Sequence, residues 1–163
     1  MKEKKKCLVV FIIAAIVLCG ALAVGGFLMF GSQKETVNSF ERIFLSLQGM
    51  RISEEYEIIC NGEQSEVSRY QMFYTDGEEE RRLTGSAGVS TASVVAKLNE
   101  CNVIKWDGFH GKHPKNVLDG TMFQFEATIN GSRTVTADGS QNFPKHYHEF
   151  ETWLTALPQS VEE

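Results

Sequence analysis

The sequence predicts an α+β protein, with an N-terminal transmembrane helix followed by one small domain in which about three helices cover an antiparallel sheet of about five strands. Three observations support this prediction. An uncharged apolar block occupies residues 8–30. Runs rich in β-branched and aromatic residues alternate with turn signals, and segments with apolar residues at helical spacing flank them. The strand connections have the length of hairpins rather than βαβ crossovers, which favours antiparallel pairing.

The apolar block contains 23 residues, 8–30. At about 1.5 Å per residue, a helix of this length crosses a hydrocarbon core about 30 Å thick. Lysines crowd residues 1–7, so the positive-inside rule keeps this flank cytoplasmic and places the domain, residues 33–163, outside the cell membrane. A cleaved signal peptide is the alternative, because residues 21–23 (Ala-Leu-Ala) have the form of a cleavage site. The apolar length favours the single-pass anchor.

The charge of the domain restricts its partners. Residues 1–7 hold four lysines and one glutamate, so 12 of the chain's 16 basic and 20 of its 21 acidic residues lie in residues 33–163, a formal net charge of −8. Nucleic acid is not expected as a partner, since phosphate binding needs a basic footprint. The expected partners are the membrane, through residues 8–30, and an envelope protein or polymer.

The first half of the domain is predicted to be a helix followed by a three-stranded meander. Apolar residues recur at helical spacing over Thr36–Leu47, and Gly49 follows as a stop signal. The meander has turn signals at residues 61–64 and at Asp76-Gly77, and the glycines of residues 85–88 are predicted to end it. Its three strands are residues 54–60, 66–75 and 78–83.

The second half is predicted to contain a helix, a hairpin and a last helix. The first of these helices is capped by Ser90 or Thr91 and runs through Cys101, with Val94, Val95, Leu98 and Cys101 directed inward. Asn130-Gly131 joins the two strands of the hairpin, because these residues tolerate positive φ. The hairpin strands are residues 121–129 and 132–137, and the last helix runs from Pro144 to Pro158.

Cys60 and Cys101 are the only two cysteines of the predicted extracytoplasmic domain. A disulfide between them would close a long loop and stabilise the domain by about 4 kcal/mol. Two separate thiols fit the sequence equally well, because residue spacing does not fix the distance between them.

The four histidines form two pairs, His110 with His113 and His146 with His148. Histidine is a common metal ligand, so one hypothesis is a metal site built from these four side chains. The alternative, that they are ordinary surface histidines, is favoured because the spacing matches no metal-binding motif. No cofactor is predicted.

Trp106, Asp107 and Phe109 belong to an aromatic segment, WDGF, around an Asp-Gly turn. Two aromatic side chains in a polar neighbourhood form either a binding patch or a plug of the core. The plug is favoured, because large aromatic residues usually close the core of a small domain.

No catalytic residue is predicted. The chain has no nucleophile-elbow serine motif, no cysteine near a histidine in sequence and no phosphate-binding glycine loop. The carboxylates beside glycine, Asp107, Asp119 and Asp138, are typical of turns. The sequence therefore predicts that the protein is not an enzyme.

A resemblance to known domains involves the segment Val103–Leu154. WDGF, then LDG before an alternating strand (TMFQFEATING), then NFP and a helix with aromatic positions resemble the end of uncharacterised lipoprotein or membrane-anchored domains of Gram-positive bacteria. The resemblance implies an extracytoplasmic domain and assigns no catalytic or binding residue. This chain differs from the lipoprotein members in having an anchor helix.

Together these features predict a membrane-anchored extracytoplasmic protein that acts as a binding or interaction module at the cell envelope. An accessory subunit of a membrane complex is the first alternative, because small residues in the anchor allow close helix contact. A histidine-based metal-binding protein or enzyme is the second.

Overall fold

The computed structural model describes residues 35–50, 52–75, 77–117 and 119–160. The chain divides into two units, Met1–Glu35 and Thr36–Glu163, and the second is dominated by one sheet. The predicted transmembrane segment, residues 8–30, lies outside the described residues. In the part of the chain that is described, no helix is long and apolar enough to cross a membrane.

Eight strands form a single sheet in the order β5-β7-β6-β1-β2-β3-β4-β8. All neighbouring strands are antiparallel except β5 and β7, which are parallel. The strands are β1 (Phe40–Gly49), β2 (Ile52–Asn61), β3 (Gln64–Thr75), β4 (Glu78–Ser90), β5 (Phe109–Gly111), β6 (Met122–Ile129), β7 (Arg133–Ser140) and β8 (Gln159–Ser160). The helices are α1 (Thr91–Glu100), a 3-10 helix (Val103–Trp106) and α2 (Tyr147–Thr155).

The predicted fold class, α+β with about five strands and three helices, is wrong for the described residues, which contain eight strands and two α-helices. Residues 85–88 do not end the meander, because β4 continues through them in register with β3. Strand β5 has no hairpin signal, since its parallel partner β7 lies beyond β6 in the chain. The sheet is therefore mixed rather than antiparallel.

The predicted first helix, Thr36–Leu47, is also wrong, because Phe40–Gly49 form the central strand β1. The register shifts between Phe40 and Arg42, so Phe40 and Ile43 both reach the core although they are three residues apart. Such a β-bulge adds one residue to the strand and imitates helical spacing. Beyond the bulge Leu45 and Leu47 alternate normally and are buried.

Several local signals are confirmed. Both strands predicted before Asp76-Gly77 are present, and Gly77 has a φ of 84°. Asn130 and Gly131 turn the chain between β6 and β7 with φ values of 50° and 89°. Helices α1 and α2 are present. Helix α1 buries Val94 and Leu98 as predicted and leaves Val95 half-buried, and α2 buries Tyr147, Phe150 and Leu154.

One core joins the two helices to one face of the sheet. Trp106 lies at its centre, with ring centroids 5.0 Å from Phe125 and 5.6 Å from Phe150. The opposite face is polar, and ion pairs such as Arg42–Glu57 (2.6 Å) cross between its strands. These pairs are partly exposed and contribute little to stability.

Two asparagine side chains hold the segment that leads into β1 through hydrogen bonds to its backbone. The amide group of Asn99 accepts a hydrogen bond from Val37 N (2.8 Å) and donates one to Val37 O (2.7 Å). Asn130 likewise accepts from Asn38 N (2.8 Å) and donates to Thr36 O (3.0 Å). The chain thus enters the sheet at the end where β1 begins and β6 ends.

Candidate functional site

A pocket of about 400 Å³ lies on the polar face, at the opposite end of the sheet from this entry point. It is built by β1, β6, β7 and β5, which are consecutive in the sheet, and by the loop after β5. Eight of its twelve lining residues have polar side chains, and Met122 and Phe123 add apolar surface. The polar side chains are Ser46, Gln48, His110, Lys112, His113, Gln124, Asp138 and Ser140.

Strand register places most of these side chains. Ser46 pairs with Gln124, Gln124 with Asp138, and Asp138 with His110, so one row crosses four strands. A second row runs from Gln48 through Met122 to Ser140. Directly opposed residues project from the same face of a sheet, so both rows point into the pocket.

His110 and Asp138 are hydrogen-bonded to each other in the pocket. His110 Nδ1 lies 2.6 Å from Asp138 Oδ2, because parallel pairing sets the two residues side by side. An ionised carboxylate only accepts hydrogen bonds, so Nδ1 carries the proton and donates it. The side chains of His110 and Asp138 are 68% and 50% exposed, so solvent screens the interaction.

His113 connects the loop after β5 to the end of β7. Its Nε2 lies 2.6 Å from Val117 O, and its Nδ1 lies 2.7 Å from Ser140 Oγ. A carbonyl oxygen only accepts, so Nε2 carries the proton and Nδ1 accepts from the Ser140 hydroxyl. Both ring nitrogens therefore serve to hold the pocket wall in place.

Glycines allow the wall of the pocket to pack closely. Gly111 and Gly139 are paired across β5 and β7, and both are buried. A Cβ on either residue would collide with Asn142 O, and a Cβ on Gly139 would lie 2.8 Å from Phe123 Cε1. Only glycine fits such a close approach of three backbone segments.

The second histidine pair lies elsewhere, at the start of α2. His146 Nδ1 is 3.1 Å from Glu149 Oε1, and His148 Nδ1 is 3.0 Å from Glu151 Oε2. Neither histidine lines the pocket that His110 and His113 share. Within the described ranges no group of three or more His, Cys, Asp or Glu residues is placed to hold a metal ion.

The WDGF segment, which the sequence predicts to be either a plug of the core or a binding patch, lies partly in the core and partly at the surface. Trp106 is 1% exposed, and its indole N–H donates to Lys145 O at 3.0 Å. Asp107 is exposed and its Oδ1 accepts from Thr136 N at 3.3 Å. Phe109 is half-buried, with its ring centroid 6.4 Å from that of Phe123. Trp106 therefore acts as a plug.

Cys60 and Cys101 are free thiols at opposite ends of α1. Cys60 Sγ lies 4.0 Å from Thr91 Oγ1 at the start of the helix, whereas Cys101 follows its last residue. A helix of 10 residues is about 15 Å long. That separation exceeds the Cα distance of about 7 Å that a disulfide can bridge. Burial raises the pKa of the Cys101 thiol to about 11, which makes it unreactive.

Sequence reasoning missed most of the pocket. His110 and His113 were singled out as candidates, whereas Gln48, Gln124 and Ser140 were not. Glutamine and serine on alternating strand positions are typical of any solvent-facing sheet surface, so composition does not mark them. The available signal was the alternation of TMFQFEATI, which places Gln124 on the polar face.

Comparisons with protein-family models, with curated proteins and with solved structures found no match to this chain.

Proposed function

We propose that this protein is a membrane-anchored, extracytoplasmic binding module and that its ligand binds in the pocket on the polar sheet face. The observation that supports the proposal is the pair of side-chain rows across β1, β6, β7 and β5. Paired strands hold the backbone of these residues in place, so only their side chains have to be ordered when a ligand binds. Met122, which is 49% exposed, adds apolar contact area beside them.

The position of the chain entry also supports ligand access. Asn99 and Asn130 hold residues 36–39 at one end of the sheet, and the pocket lies toward the other end. Residues 36–39 therefore do not cover the pocket.

A blocking substitution tests the proposal. Gln124→Trp is expected to fill the pocket, because Gln124 is exposed on β6 and lines it. Full-length protein carrying a photocrosslinker is expressed in its native envelope, and the adducts are identified by mass spectrometry. We expect the wild-type protein to form a specific adduct and Gln124→Trp to lose at least about 90% of it, as a binding loss above about 1.4 kcal/mol implies.

Thr134→Trp is the matched control. Thr134 is exposed on the neighbouring strand β7, on the same face, and does not line the pocket. We expect its adduct yield to equal that of the wild-type protein. Equal yields for all three proteins would show that the ligand binds elsewhere.

The pocket contains serine, histidine and aspartate, but their pairing does not favour catalysis. Ser140 contacts His113, whose other ring nitrogen donates to the neutral Val117 carbonyl, whereas Asp138 contacts His110. An activated serine needs a histidine that is itself oriented and stabilised by a third group, usually a carboxylate. Serine and carboxylate are here bonded to two different histidines.

We therefore expect a fluorophosphonate probe to leave Ser140 unlabelled. The purified full-length protein is incubated with the probe and digested, and the Ser140 peptide is examined by mass spectrometry. A heat-denatured sample supplies the background level of labelling. Labelling of Ser140 above that background, lost in His113→Ala, would contradict the non-enzymatic proposal.

A further inference from the structure

The charged groups that line the pocket differ in whether they have partners. Asp138 is the only carboxylate among the lining residues, and it already accepts a hydrogen bond from His110. Lys112 makes no ion pair or hydrogen bond with any residue that the structure describes. Among the described residues that line the pocket, the lysine is therefore unpaired and the one carboxylate is paired.

Two amide side chains that line the pocket with Lys112 are also without hydrogen-bond partners among the described residues. Gln48 and Gln124 are exposed, and neither side chain is hydrogen-bonded to a described residue. Each amide can donate two hydrogen bonds, and a lysine ammonium group can donate three. These donors converge from β1, β6 and the loop after β5.

From this arrangement we propose that the ligand carries a compact oxyanion, a phosphate or carboxylate group, which Lys112 binds with the help of Gln48 and Gln124. The proposal rests on the proposed function and names the chemistry of the same site. Lysine binds phosphate and carboxylate as a point charge, and hydrogen bonds to a charged group are about twice as strong as neutral ones.

The local charge contrasts with that of the rest of the domain. The stretch from His110 to Lys115 contains two lysines and two histidines and no acidic residue. Residues 33–163 as a whole carry a net charge of −8, which repels extended polyanions such as nucleic acid. One anionic group on an otherwise neutral ligand satisfies the local attraction with little general repulsion.

A titration of the full-length protein in nonionic detergent micelles tests the proposal. Inorganic phosphate and acetate are the two probes, and the chemical shifts of the Lys112 and Gln124 amides are followed by nuclear magnetic resonance. We expect saturable shifts with at least one probe, and an affinity that falls as sodium chloride is added, because salt screens exposed charges. Absence of saturable shifts with both probes would overturn the proposal.

Lys115 offers a matched control in the same loop. It is exposed and does not line the pocket, so Lys115→Ala removes the same charge at a neighbouring position. We expect Lys112→Ala to weaken probe binding about tenfold, as loss of one charge-assisted hydrogen bond implies, and Lys115→Ala to weaken it less than about twofold. Equal weakening by both variants would show a diffuse charge effect and overturn the assignment to Lys112.

Two further probes distinguish the sources of the anion. Glycerol phosphate represents a ligand with a single phosphate ester, and acetylglycine represents a peptide with a free carboxylate. Tighter binding of either one supports the proposal and identifies the source. The envelope crosslinking experiment separates this inference from the proposed function. If Gln124→Trp loses the envelope adduct and Lys112→Ala keeps it fully, the pocket binds a ligand but the anion assignment is wrong.

Discussion

Gly139→Ala is expected to lower the free energy of unfolding by about 3 kcal/mol, since overpacking of a tight core typically costs about 1–3 kcal/mol. The new Cβ would collide with Asn142 O and lie 2.8 Å from Phe123 Cε1 and 3.1 Å from Gly111 Cα. Two of these three atoms belong to backbone, which cannot move aside as a flexible side chain does. The midpoint of thermal unfolding should fall by roughly 10 °C.

Tryptophan fluorescence of the full-length protein in nonionic micelles measures this loss. Both tryptophans of the chain, Trp106 and Trp153, lie in the sheet domain, so the signal reports the unfolding of that domain alone.

Gly88→Ala is the matched control for Gly139→Ala. Gly88 also lies in a strand, β4, but a Cβ there would meet no atom within 4 Å. Alanine restricts the unfolded chain more than glycine does, so this variant should be as stable as the wild-type protein or up to about 1 kcal/mol more stable. If both substitutions destabilised the protein equally, Gly139 would not be packed as closely against Asn142 as the structure shows.

Sequence signals that span a few residues predicted the turns and the α-helices well. They failed where pairing between distant strands determines the structure. Asn130-Gly131 tolerates the positive φ that a tight turn needs, and α1 keeps its apolar spacing without interruption from Val94 to Leu98. In β1 the bulge next to Phe40 breaks the alternation that identifies a strand. The bulge arises from pairing with β6, where Phe40 lies opposite Ile129, so a short sequence window cannot reveal it.

The candidate site was less predictable than the fold because it depends on register. Asn130-Gly131 suggests a two-residue hairpin loop, whereas Ile129 pairs with Arg133 and leaves three residues in the turn. A two-residue loop would set Asp138 opposite Phe123, on the core face, instead of opposite Gln124. A shift of one residue in the register moves every side chain of a strand to the opposite face of the sheet. The two rows of pocket side chains could therefore not be predicted from the sequence.

Trp106→Ala is expected to lower the free energy of unfolding by about 4 kcal/mol, the usual range for a buried aromatic residue being about 3–5 kcal/mol. Trp106 is 1% exposed and contacts the rings of Phe125, Tyr147 and Phe150. Alanine would leave a cavity among these rings and would deprive Lys145 O of its hydrogen bond. Urea unfolding followed by the fluorescence of Trp153 measures the change.

Two further variants separate the packing of Trp106 from its other contributions. Trp153→Ala removes the same side chain from a half-buried position and should cost less than half as much. Trp106→Phe keeps an aromatic ring but loses the N–H donor to Lys145 O, and should cost about 1–2 kcal/mol.

If Trp106→Ala were as stable as the wild-type protein while envelope crosslinking was lost, the WDGF segment would be a binding patch. If Trp106→Ala is less stable but its folded fraction still crosslinks fully, Trp106 serves only the core. The ligand then binds in the pocket of Lys112 and Gln124.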